Sequence, residues 1–173
     1  MTTQARHGGR IRTDLLGVYL NDHLAGSTIG CERAQYTVRA LHGSPLGRAL
    51  APIAAEIAED RRSLLDIMRR LGVSSHRYKV GAAWASEKAG RLKTNGRLVG
   101  RSPLSNVLEL EFLRLGVEGK AAGWRLLLQL ADDDGRLDRH NLEELFERAQ
   151  RQLRTLEELR LQESRQVFRA VDR

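Results

Sequence analysis

A chain of 173 residues with 41% hydrophobic and 29% charged side chains and only three prolines is long enough to bury one sizeable core, which excludes a disordered or collagen-like protein. Its single cysteine, Cys31, excludes an intramolecular disulfide and a cysteine-held structural zinc, so a reducing compartment, the cytoplasm, is expected. The formal net charge is +7, yet four of the 29 basic residues are lysines (Lys79, Lys88, Lys93, Lys120), leaving 25 arginines that mostly alternate with Glu and Asp, the pattern of an ion-paired, solvated face.

The densest basic stretch, 61–101, lacks the interleaved aromatics of a single-strand binder, so nucleic acid is not the expected partner. No run of ~18 apolar residues occurs, and the first twenty residues hold no apolar segment followed by a small-residue cleavage site. Neither a membrane span nor export by that route is expected.

Residues 1–12 are polar and without period, and read as a flexible N-terminal tail; 13–173 read as one helical-bundle domain. Thr13 offers an N-cap with Asp14 in the first turn, and a periodic segment runs to about Leu41, closed by His42-Gly43. Ser44-Pro45 restarts the chain with a cap and a proline at the first helical position, and the period continues to Leu71-Gly72. Pro52 should kink this second helix or mark its true start. A shorter third helix is expected from about Tyr78 to Lys93, stopped by Asn95-Gly96. Ser102-Pro103 repeats the cap-and-proline device before a fourth helix to about Ala131. After the acidic turn 132–135 a fifth runs from near Asp138 to about Phe168. With no strand signal between them, the fold class is all-α, an up-down bundle of about five helices in which the third is a crossover or a member.

Bundle helices meet through positions spaced alternately three and four apart. The last helix obeys this with Leu142, Phe146, Ala149, Leu153 and Leu156, a seam of pure packing. The others carry polar groups on the stripe. The first has His23, with Tyr19 one turn before it. The second has Asp60, with Glu56 one turn away, the third Glu87, and the fourth Glu111 and Glu118. An unpaired buried carboxylate costs several kcal/mol, so each of these needs a cation, a proton or an escape to water.

Three readings stay open. Asp60, Glu87, Glu111 and Glu118 meet arginines such as Arg61, Arg91 and Arg114 or lie at the bundle edge. Alternatively, inward carboxylates and one imidazole (His23, Glu56, Asp60, Glu87, Glu111, Glu118) share a divalent cation, for which oxygen-rich donors with one nitrogen suit iron or manganese. The specific Glu-x-x-His pair of such sites is missing. Thirdly, Glu111 and Glu118 act as an acid/base pair, but they stand ~10 Å apart by helix rise. The rows Gly26, Gly30, Ala34 and Gly81, Ala85 read as surfaces for close helix approach, and Cys31 as a half-buried structural thiol.

The segments 19–26 (Tyr19-Leu20-Asn21-Asp22-His23-Leu24-Ala25-Gly26), 59–61, 90–93 and 108–116 resemble those of an uncharacterised family of actinobacterial helical-bundle proteins, over nearly the whole chain. More distantly, the helix count and inward carboxylates resemble the ferritin-like four-helix bundles. That resemblance implies ligands at Asp60 or Glu56, at Glu87, and at Glu111 or Glu118, and the seam of the last helix supplies none. With no complete catalytic set, the expected role is non-enzymatic, through self-association as a homo-oligomer or with a protein partner; the alternative is a carboxylate-bridged iron or manganese protein.

Overall fold

The computed structural model describes residues 11–75 and 102–169. Four α-helices account for most of them: α1 (Thr13–Ala40), α2 (Pro45–Arg70), α3 (Pro103–Leu130) and α4 (Arg139–Phe168). The expected helix over 78–93, and with it Glu87 and the Gly81, Ala85 row, lies outside the described residues.

Local chemistry sets most of the boundaries. Ser44 Oγ accepts from Gly47 N at 3.0 Å, which satisfies one of the open donors at the start of α2 and puts Pro45 where its missing N–H costs nothing. Asp138 does the same for Asn141 N at 3.1 Å in α4. Gly72, next to the C-cap Leu71 of α2, takes φ of +71°, and Gly43, in the turn between α1 and α2, takes +80°, a conformation that favours glycine. Two capping expectations are corrected: the residue preceding α1 is Arg12, not Thr13, and no side chain caps it, and Ser102 precedes α3 without a side-chain cap hydrogen bond. Of the two alternatives for Pro52, a helix start falls away, since α2 begins at Pro45 and Pro52 lies inside it.

Side-chain contacts fix the topology. Arg33 meets Glu109 while His23 meets Gly123, so α3 runs antiparallel to α1. Glu56 meets Gln152 while Glu59 meets Arg148, so α4 runs antiparallel to α2. Cys31 reaches Ile57 and Gly17 reaches Val73 in the α1–α2 hairpin. Along α3 and α4 the contacts run from Asn106–Glu163 to Leu128–Arg139. Helices α2 and α3 are therefore parallel, and the chain between them joins opposite ends of the bundle. Arg136 Nη1 donates to the Leu71 carbonyl at 3.0 Å, tying the α3–α4 turn to the end of α2.

The core is aliphatic: Leu20, Leu50, Met68, Leu110, Leu127, Leu142, Leu145 and Leu156 are all fully buried. Each leucine of that set contributes roughly 1.5–3 kcal/mol by leaving water. The α2 stripe is as expected, with Leu50, Ile53, Ile57, Asp60, Leu64, Ile67 and Leu71 all buried. On α3 the row expected from the period, Leu104, Leu108, Glu111, Leu115, Glu118 and Ala122, is rotated away from the interior. Its buried face is Val107, Leu110, Leu113, Val117, Ala121, Trp124 and Leu127, while Leu115 stands 68% exposed. Leucines occur all round α3, so the period alone fitted either face.

Candidate functional site

The middle of the bundle holds a polar network on an aliphatic stripe. Asp60 is 1% exposed because Ile57 and Leu64, one turn to either side, carry α2 into the core. Its Oδ2 accepts from Lys120 Nζ of α3 and, at 3.2 Å, from Gln152 Nε2 of α4. Its Oδ1 lies 2.9 Å from Arg148 Nε, but off the line a hydrogen bond needs, so that contact is an ion pair only. Gln152 accepts from Lys120 through Oε1 and donates to Glu56 Oε2 at 2.9 Å, and Arg148 also donates to Glu59 Oε2 at 3.0 Å. Burial pushes the Lys120 ammonium below its ordinary range, and the charge and hydrogen bond of Asp60 oppose that shift. Burying such a network costs desolvation that its ion pairs largely offset, so its net contribution to stability is small even though breaking one member is costly.

The described members of the expected metal set do not fit a divalent cation. Both Asp60 oxygens face cationic side chains, and Glu56 is engaged by Gln152. Glu111 is 46% exposed beside Arg160 on the α3–α4 flank, and Glu118 is exposed. His23 lies against Tyr19 with ring centroids 4.4 Å apart and the rings tilted by 53°, and burial holds its imidazole below its ordinary range despite the nearby Asp22 charge. No three His, Cys, Asp or Glu side chains converge among the described residues. Structure brings Asp60 and Glu56 together through Gln152 and leaves His23, Glu111 and Glu118 elsewhere; Glu87 lies outside the described residues.

The second feature is a cavity of about 440 Å³ between α1 and α3, floored by α2. Two contacts join the same pair of helices. At one end Arg33 grips Glu109 with two donors, Nε at 2.6 Å and Nη2, and Thr37 adds a hydroxyl at 3.4 Å. At the other the His23 imidazole lies against Gly123, where a Cβ would meet Cε1 at 3.2 Å. These points are ten residues apart on α1, about 15 Å of helix rise. Between them stand Gly26 and Gly30 of α1 and Gly116 and Gly119 of α3, and a Cβ built on any of the four meets nothing within 4 Å. The expectation that this glycine row brings helices into close contact is corrected: the missing side chains leave space rather than closing it. The tightest backbone approach at a described glycine is at Gly47 in the first turn of α2, with its would-be Cβ 2.2 Å from the Leu41 carbonyl oxygen.

The cavity wall is chiefly apolar, with Leu64, Leu113, Val117, Trp124 and Leu127 among its residues. Its charged members are Asp22, Asp60, Arg61 and Lys120. Asp60 and Lys120 neutralise one another. Arg61 is half-buried, and among the described residues its single hydrogen bond is from Nε to Thr28 Oγ1 at 3.0 Å.

Several of these residues carried no seam signal. Gln152 and Arg148 flank the leucine row of α4, and Lys120 lies off the stripe that carries Glu111 and Glu118 on α3. Glu109, 7% exposed, is the buried carboxylate of α3 in place of Glu111. Cys31 is buried rather than half-buried, its thiol 3.5 Å from the Ile57 carbonyl oxygen and pushed up by burial. No described helix is long and apolar enough to cross a membrane. Comparison with protein-family models, with curated proteins and with solved structures returns no match to this chain.

Proposed function

We propose that this chain is a non-enzymatic, ferritin-like helical bundle that acts through association, and that the α1–α3 face is the surface at which it does so. The ferritin-like assignment rests on connectivity: neighbouring helices antiparallel, with one long connection between parallel α2 and α3, is the arrangement of single-crossover bundles. Asp60 and Glu56, two of the carboxylates that would correspond to metal ligands in such bundles, are engaged by Lys120, Arg148 and Gln152, so the reading takes no metal. One thiol and no disulfide suit work in the reducing cytoplasm.

The carrying observation is the glycine-walled cavity. Gly26, Gly30, Gly116 and Gly119 each forgo helix propensity without gaining a packing contact, and the space they leave has the size and apolar wall of a binding pocket. Leu115, 68% exposed and part of the same wall, extends the apolar surface outward. The test is a titration with the neutral fluorophore N-phenyl-1-naphthylamine. Saturable binding of one probe per chain, lost when Gly30→Leu and Gly119→Leu fill the cavity, supports the reading. Sedimentation over a concentration series shows whether a second copy covers the face, as a dimer that Leu115→Glu dissociates. No saturable probe binding together with a concentration-independent monomer contradicts the proposal.

A further inference from the structure

Resting on the reading of the α1–α3 cavity as a binding site, we infer that its ligand is a small molecule bearing a carboxylate on an apolar body, with the carboxylate held by Arg61. Three observations combine. The cavity is of small-molecule size, about 440 Å³, and its wall is chiefly apolar, which selects an apolar body. Of the four charged residues on it, Asp60 and Lys120 are spent on each other. That leaves Arg61, whose guanidinium has five donors and uses one, on Thr28, among the described residues.

A half-buried guanidinium with no carboxylate against it, beside an apolar space, is complementary to a carboxylate entering with that space's occupant. Asp22, the remaining charge, is exposed and lies six residues from Thr28 along α1, about 9 Å by helix rise, so it does not neutralise Arg61. The ligand's body then extends from Arg61 between Gly30 and Gly119 toward Trp124, whose indole N–H has no partner among the described residues.

Calorimetric titration of the full chain at pH 7.5 with decanoate and, separately, with decan-1-ol tests this. Decanoate is expected to bind saturably, at least tenfold tighter than decan-1-ol. Arg61→Gln should weaken decanoate about tenfold or more while leaving decan-1-ol unchanged, the loss expected for one charge-assisted interaction. Gly30→Leu with Gly119→Leu should abolish both, and helical circular dichroism reports whether each variant folds. Equal binding of the two ligands by the unmodified chain overturns the carboxylate assignment and leaves the cavity reading standing. An undiminished decanoate signal in the filled variant overturns it too, by placing the site elsewhere. Binding of neither ligand to the unmodified chain overturns the assignment together with the cavity reading.

Discussion

Filling the glycine positions with single methyl groups separates an open cavity from a close helix contact by the sign of its effect. At Gly26, Gly30, Gly116 and Gly119 an added Cβ meets nothing within 4 Å, so Gly→Ala there restores helix propensity at no steric cost. Each substitution should stabilise by about 0.5–1 kcal/mol, partly by restricting the unfolded chain. If the four act independently they sum to roughly 2–4 kcal/mol, which for a chain of this size raises Tm by roughly 4–16 °C. Gly47→Ala is the internal control. Its Cβ would lie 2.2 Å from the Leu41 carbonyl oxygen, so the α1–α2 turn must shift, at about 1–3 kcal/mol. Urea unfolding followed at 222 nm measures all five. Losses above about 1 kcal/mol at two or more of the four cavity glycines would refute the reasoning, because they would mean the backbones of α1 and α3 are in contact there.

Four further outcomes follow from the same geometry. Asp60→Leu alone leaves the buried Lys120 without a carboxylate, while Arg148 keeps Glu59, and should cost about 3–5 kcal/mol, much of which Asp60→Leu/Lys120→Met recovers, read from urea midpoints. Glu109→Gln breaks the two-donor grip of Arg33 and should cost roughly 2–4 kcal/mol, whereas Glu118→Gln, on the exposed side of α3, should stay within about 0.5 kcal/mol in the same assay. Because burial lowers the folded-state pKa of His23, the unfolded chain binds the proton more readily. Stability should therefore fall as pH drops below about 6.5, and His23→Gln should flatten that limb of a stability-against-pH curve. Cys31 should react with a disulfide reagent only on unfolding, since its thiol is buried and pushed up; a stoichiometric burst in native buffer would contradict its placement.

Helix existence was legible because its signals are local. Ser44-Pro45, Pro103, Gly43, Gly72 and Asp138 act through one turn of backbone, and the helix ends they mark fall within two or three residues of where they place them. The α2 stripe was legible because polar residues leave a single apolar face. On α3, with leucines at 104, 108, 110, 113 and 115, rotation is decided by the neighbours, and Glu109 takes the buried position through Arg33 of a helix 76 residues away in sequence. The centre of the site was half legible. Asp60 stood out as a carboxylate among isoleucines and leucines, but its partners come from three different turns of two other helices. Gly30 and Gly119 were visible as small residues, yet whether smallness admits a neighbouring helix or leaves a hole depends on what lies opposite, which no period in one helix records.

A crystal of the full chain exposed to xenon gas addresses the open space itself, since an apolar cavity of this size takes up the gas. The account requires xenon density between Gly30 and Gly119, beside Leu113 and Trp124. The α1 and α3 backbones in van der Waals contact across those two glycines, with no xenon between them, would contradict it.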